Sequence, residues 1–118
     1  MKRKENLIDF TSIKEMLGGE EDYVQEFAEA AVQSFQEFSE NYSKYLLARN
    51  ETEFRKAGHK IKPVAIMLGI DQIVENYEYE KTQFGNDRNI VELEESADKM
   101  NEICTRVLAE LTDIISGN

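Results

Sequence analysis

Apolar residues recur in steps of three and four along most of this chain, and no segment shows the strict alternation of a β-strand. Such spacing places apolar side chains on one face of an α-helix, so each segment predicts a helix with one buried face. The cleanest stripe comprises Ile90, Leu93, Ala97, Met100, Cys104, Val107, Leu108, Leu111, Ile114 and Ile115. We interpret Cys104 as a small buried residue of this stripe. The pattern predicts an all-α protein.

Turn and capping residues divide the chain into one short and four long predicted helices. Ser12 and Glu15 have the spacing of a capping box, which predicts the start of the short helix, and Gly18 with Gly19 should end it. The long helices are predicted at about 20–49, 50–69, 71–84 and 87–115, with a bend near 39–41. The predicted caps of the last three are Asn50, Asp71 and Asp87.

Short links between the long helices force neighbours to run antiparallel. The expected architecture is an up-down-up-down four-helix bundle with the short extra N-terminal helix laid across one end. We expect residues 1–118 to form a single domain. Residues 1–10 should be a lead-in that is loose at its start, with Leu7, Ile8 and Phe10 as candidates to pack on the body of the domain.

Charge and composition exclude several classes of function. A formal charge of −10 argues against nucleic acid as a partner, because phosphate backbones bind cationic surfaces. No run of apolar residues is long enough to insert in a membrane, and no apolar stretch follows the charged residues 1–4 as in a secretory signal. One cysteine cannot form an internal disulfide. We therefore expect a cytoplasmic monomer.

Residues 54–70 hold the only histidine of the chain, the only proline and four of its fourteen Lys and Arg residues, without any acid. On a helical wheel the apolar side chains of this segment lie almost opposite His59, so its ring should face solvent. The four cations form what we call the cation collar: Arg55, Lys56, Lys60 and Lys62. Pro63, Ile66 and the neighbouring Met67 should offer an exposed apolar strip for a partner.

The remaining residues exclude most kinds of catalytic site. A di-iron bundle needs Glu-x-x-His pairs, but Lys56 stands three residues before the histidine. One histidine and one buried cysteine cannot close a zinc site, and neither glycine-rich nucleotide motif is present. We therefore expect no cofactor and no metal in this chain. A neutral imidazole can still attack a phosphoryl group, which a partner would have to supply together with magnesium.

Residues 58–63, which read Gly-His-Lys-Ile-Lys-Pro, resemble the signature of histidine-containing phosphotransfer (HPt) domains in multistep phosphorelays. The signature has a small residue, the histidine, a hydrophobic residue, a lysine and a later glycine. The corresponding residues here are Gly58, His59, Ile61, Lys62 and Gly69. The motif covers about a dozen residues, whereas the expected bundle matches over nearly the whole chain.

The resemblance implies that His59 accepts a phosphoryl group from a receiver-domain aspartate and passes it to another receiver. Lys62 would steady that group, Lys56 and Lys60 would act at longer range, and Arg55 would help to bind the partner. The implied partners are response-regulator receiver domains and a hybrid sensor histidine kinase. The implied chain is a phosphotransfer intermediate without kinase activity of its own, and magnesium belongs to the receiver.

Two positions depart from the family pattern. Pro63 stands where a glycine is usual, and it cannot donate a hydrogen bond to the carbonyl of His59, which predicts a kink or a free carbonyl. Lys81 stands where a glutamine often orients the imidazole, with Gln83 nearby.

A second interpretation remains open, because exposed histidines and charge clusters are usually just solvated surface. The chain would then be a non-catalytic helical adaptor that binds a partner through the apolar strip. A histidine kinase dimerisation domain fits less well, since it needs two long helices and an attached ATP-binding domain.

Overall fold

The computed structural model describes residues 7–116, and this part of the chain forms five α-helices. The helices are α1 (Phe10–Met16), α2 (Glu21–Leu47), α3 (Glu51–Met67), α4 (Asp71–Thr82) and α5 (Ile90–Ile115). Helix α2 packs against α3 and α5, while α4 contacts α3 and α5 and so closes the ring of four. The predicted all-α antiparallel bundle with a short N-terminal helix is therefore confirmed. No helix within residues 7–116 is both long and apolar enough to span a bilayer.

The core contains a chain of aromatic contacts that links α2, α3 and α4. Tyr42 packs on Phe54 with ring centroids 4.8 Å apart, and Phe54 in turn contacts Tyr77 at 5.4 Å and Phe84 at 4.9 Å. Aromatic pairs at such distances add a favourable term beyond area burial. Phe54 therefore joins three helices at the centre of the bundle.

The predicted apolar stripes are largely buried, with a few differences. Cys104 is buried as expected, and burial raises the pKa of its thiol to about 12, so it is not a reactive nucleophile at neutral pH. Ile103 is also buried, although the predicted stripe of α5 did not include it. Ile90, which the stripe of α5 did include, is exposed because it is the first residue of the helix.

Three of the predicted helix starts are wrong by one to three residues. Asp9 rather than Ser12 caps α1, because its carboxylate accepts hydrogen bonds from the amide and the hydroxyl of Ser12, which also lower its pKa. Asp71 is the first residue of α4 and not its cap. Asn89 rather than Asp87 caps α5, where it forms a complete capping box with Glu92.

The turns around α3 follow the sequence more closely. Asn50 caps α3 as predicted by accepting a hydrogen bond from the amide of Glu53. Gly69 lies in the link between α3 and α4 at a φ of +73°, a left-handed conformation that glycine adopts without strain. Helix α2 is continuous through residues 39–41, where Ser39 donates a hydrogen bond of 2.7 Å to Asn101 on α5.

A buried ion pair ties the end of α4 to the loop before α5. Arg88 and Glu80 lie 2.8 Å apart, and their side chains are only 15% and 8% exposed. In addition, the backbone carbonyl of Arg88 accepts a hydrogen bond of 2.6 Å from the guanidinium of Arg49. These contacts hold the segment after Gly85 in a fixed turn, so α5 starts two residues later than its composition suggests.

The segment before α1 is held against the bundle by one carboxylate. Glu110 on α5 accepts hydrogen bonds of 2.9 Å from the amides of Leu7 and Ile8, and Ile8 is buried. Asp9 donates its amide to the carbonyl of Leu68 at 2.8 Å. Leu7 and Ile8 therefore pack on the body of the domain, whereas Phe10 is 39% exposed. Residues 1–6, where the predicted lead-in starts, lie outside the described part of the chain.

We expect Glu110→Ala to lower the free energy of unfolding by about 1–2 kcal/mol, because two partly buried amides lose their acceptor. Chemical denaturation would measure the change. Glu102→Ala is the matched control, since Glu102 is exposed on the same helix and should change stability by less than about 0.5 kcal/mol. Equal effects of the two substitutions would contradict the role of Glu110.

Candidate functional site

Helix α3 presents His59 to solvent, as its helical wheel predicts. Phe54, Ile61 and Ala65 are buried on the opposite face of this helix, and His59 is exposed. The helix runs without interruption through Pro63, so the proline does not end it. The carbonyl of His59 receives no hydrogen bond from residue 63, because proline has no amide hydrogen.

Gly58 allows α4 to approach α3 directly beside the histidine. A Cβ atom at this position would lie 2.0 Å from two ring carbons of Tyr77, a distance that no real contact reaches. The hydroxyl of Tyr77 donates a hydrogen bond to the carbonyl of Arg55 at 3.1 Å. Burial, followed by the nearby carboxylate of Glu78, raises the pKa of Tyr77. Tyr77 is therefore an uncharged side chain next to His59 at neutral pH.

An open depression of about 540 Å³ surrounds the histidine, and we call it the His59 depression. Its lining residues are Arg55, Lys56, His59, Lys60, Lys62, Tyr77 and Lys81. The structure thus brings the whole cation collar together and adds one lysine from α4. No carboxylate is among the described lining residues, so the depression favours an anionic ligand.

Each cation of the lining has an acidic partner outside the depression. Three pairs are on the exposed side: Arg55–Glu51 at 2.9 Å, Lys56–Glu53 at 3.2 Å and Lys60–Glu37 at 2.8 Å. Exposed pairs of this kind contribute little to stability and can exchange partners easily. These acids therefore pair with the cations of the collar without binding any of them tightly.

Glu78 differs from the other acids because it binds two lysines at once. Its carboxylate lies 2.7 Å from the ammonium of Lys62 on α3 and 2.8 Å from that of Lys81 on α4. The hydrogen bonds from Lys62 and then Lys81 lower the pKa of Glu78 to about 2, so it is ionised at neutral pH. The ammonium of Lys81 also lies 5.3 Å above the ring of Tyr77.

The residues of the predicted apolar docking strip lie next to the His59 depression and not in it, whereas Arg55, the other predicted partner-binding residue, is part of the lining. Pro63 is exposed, Ile66 is 63% exposed and Met67 is 38% exposed. They follow His59 along α3 and do not contribute to the lining. The two features are neighbouring parts of one helix: a cationic part around the ring and an apolar part towards Gly69.

No group of three or more potential metal ligands occurs in the described residues. Within the His59 depression the histidine is the only side chain of the lining that binds metals readily, since its neighbours are cations and one tyrosine. The arrangement can instead bring an anion close to the nitrogen atoms of the imidazole.

Sequence reasoning missed two contributors to this site, Tyr77 and Glu78, which both belong to α4. Gly58 was noted as a small residue, but its contact with Tyr77 depends on the packing of two helices. The signal for Glu78 was its spacing of three residues from Lys81, which places both side chains on one face of α4.

Comparisons of the chain with protein-family models, with curated proteins and with solved structures found no match.

We expect Gly58→Ala to lower the free energy of unfolding by about 1–3 kcal/mol, because the new methyl group would overlap the ring of Tyr77. In a helix without this contact, Gly→Ala would raise the free energy of unfolding by about 1 kcal/mol. A loss of stability in Gly58→Ala would therefore report the contact with Tyr77. Thermal unfolding followed by circular dichroism would measure it. Gly85→Ala is the control, since no atom lies within 4 Å of its Cβ position. The cost of Gly58→Ala should shrink in a Tyr77→Leu background; a stabilised single variant would refute the contact.

The Lys62–Glu78–Lys81 cluster predicts a pH dependence of stability. Because folding lowers the pKa of Glu78 from its ordinary value of 4.5 to about 2, its contribution is fully present above pH 4.5 and disappears as the pH falls through about 2. Thermal midpoints of the wild type and Glu78→Gln should differ at pH 7 and converge between pH 4.5 and pH 2. The difference should also shrink in high salt. A difference that does not change with pH would contradict the pKa shift.

Proposed function

We propose that this chain relays a phosphoryl group between receiver-domain aspartates through His59. The observation that carries the proposal is the exposed ring of His59 within a depression whose other lining residues are five cations and Tyr77. Phosphoryl transfer depends mainly on positioning and on electrostatic stabilisation of the phosphoryl oxygens. A nucleophile surrounded by ammonium and guanidinium groups meets both needs.

The chemical step is a nucleophilic substitution at phosphorus. The lone pair of one ring nitrogen of neutral His59 forms an N–P bond, while the P–O bond to the donor aspartate breaks and the carboxylate leaves with its electron pair. The ring then carries one positive charge, which it loses if its other nitrogen releases a proton to water. Transfer to a second receiver reverses the same bonds. Magnesium would be supplied by the receiver domain.

The cations of the collar have different roles in this proposal. Lys62 follows His59 by nearly one helical turn on α3 and is the first candidate to bind the phosphoryl oxygens. Lys56 and Lys60 are more exposed, at 70% and 72% of their side-chain surface, and would contribute at longer range. Arg55 would pair with acidic groups of the incoming receiver.

The exposed apolar strip supports docking of a receiver domain beside the ring. Pro63, Ile66 and Met67 offer an apolar surface continuous with α3, and such a surface on a strongly acidic protein favours protein contacts. The same strip supports the alternative of a non-catalytic adaptor. The fact that all five cations already have acidic partners also favours that alternative, because paired charges are common on inert surfaces.

The test is transfer of radiolabelled phosphate from phosphorylated receiver domains in the presence of magnesium. We expect the wild type to acquire a label that is stable in alkali and lost in acid, as for a phosphoramidate. His59→Gln should lose at least about 99% of the label, because no other imidazole exists in the chain to act as the nucleophile.

Lys62→Gln provides an intermediate variant that keeps the nucleophile, and it should be labelled more slowly than the wild type. Binding of a partner that is unaffected by His59→Gln, together with a failure of all receivers to label the wild type, would favour the adaptor. A label that persists in His59→Gln would exclude His59 as the acceptor.

A further inference from the structure

Glu78 is the one acid in the described residues that pairs with two cations lining the His59 depression. Its carboxylate joins Lys62 of α3 to Lys81 of α4 and is itself about one-third exposed. The other collar cations each have an acid of their own on the exposed side. Glu78 therefore pairs with two lysines of the depression, one from α3 and one from α4.

A phosphoryl group on His59 would compete with Glu78 for these lysines. Both groups are anionic oxygen acceptors that favour short, charge-assisted bonds from ammonium groups. The ammonium of Lys62 has three N–H donors and can contact both groups, but its one positive charge is then shared between two anions. A carboxylate beside a phosphoryl group also repels it. Since Glu78 is ionised at neutral pH, this repulsion is present under ordinary conditions.

We propose that Glu78 is an internal competitor for Lys62 and Lys81, and that it thereby limits how strongly the phosphorylated state of His59 is stabilised. The inference rests on the proposed function. A relay must accept the phosphoryl group and also release it, so a site that bound the group too strongly would stop transfer. Glu78 keeps both lysines close to the ring, and it weakens the stabilisation that these lysines give to the phosphoryl group.

The competition can be measured without a receiver domain by using phosphoramidate as the donor. The lone pair of the His59 nitrogen attacks phosphorus, the N–P bond to the ring forms, and the donor's own N–P bond breaks to release ammonia. At a fixed ratio of phosphoramidate to ammonia, the phosphorylated fraction reports the equilibrium for this exchange. Intact-protein mass spectrometry or ³¹P NMR would give that fraction before hydrolysis becomes significant.

We expect Glu78→Gln to raise the ratio of phosphorylated to unphosphorylated chain by about two- to fivefold, the factor that corresponds to one partly exposed charge interaction. Glu75→Gln is the matched control, because Glu75 is an exposed acid one turn earlier on α4 and the substitution changes the net charge equally. The control should leave the ratio within about 1.5-fold of the wild type if only local charge matters.

Each outcome decides between the possibilities. An unchanged ratio in Glu78→Gln, or an equal rise in Glu75→Gln, would overturn the competition. A lowered ratio would overturn it too, since Glu78 would then hold the lysines in the productive position. Failure of receivers to label the wild type, combined with the expected rise in Glu78→Gln, would refute the relay and leave the competition intact. A wild type that phosphoramidate does not phosphorylate on His59 would refute both.

Discussion

Helices α3 and α4 can pack as they do because residue 58 has no side chain. The ring of Tyr77 occupies the space that a Cβ atom would need, and its hydroxyl reaches the carbonyl of Arg55 one turn earlier on α3. This close approach brings the exposed side of α4 next to the histidine. It also brings Tyr77 into the aromatic core through Phe54, so packing of the interior and shape of the surface depend on one contact.

Charge around the histidine is organised by pairing and not by an excess of cations. The chain carries twenty-four acids and fourteen Lys and Arg residues, yet no acid lines the His59 depression in the described part of the chain. The acids lie outside the depression on exposed surface, where each pairs with one cation and changes the stability of the fold only slightly. An arrangement of this kind holds cations near a site in a protein whose overall charge would repel a phosphate group. Glu78 is the exception, because it pairs with two lysines at once, one on α3 and one on its own helix.

Helical periodicity predicted most of this architecture, whereas the details of helix ends depended on contacts between distant residues. The stripes of α2, α3 and α5 follow from spacing alone, because only one face of each helix can be buried. The start of α5 could not be predicted, since Arg88 is held by Glu80 and by Arg49, which lies 39 residues away in the chain. Asp9 was overlooked as a cap because a carboxylate three residues before Ser12 competes with the capping box that Ser12 itself suggests. The exposure of His59 followed from its own helix, but the pairing of Lys62 with Glu78 required knowing which helix lies beside α3.

Local sequence therefore decided which residues form helices, which face of each helix is buried, and that the single histidine with its four cations points to solvent. Side-chain periodicity is a property of one helix, so a pattern along the chain is sufficient to read it. The tertiary structure alone decided that Tyr77 fits against Gly58, that Lys81 joins the collar and that Glu78 binds two of the lysines. The contacts between α3 and α4 join residues 16–22 positions apart, and they depend on the distance and rotation between two helices, which no single helical pattern contains.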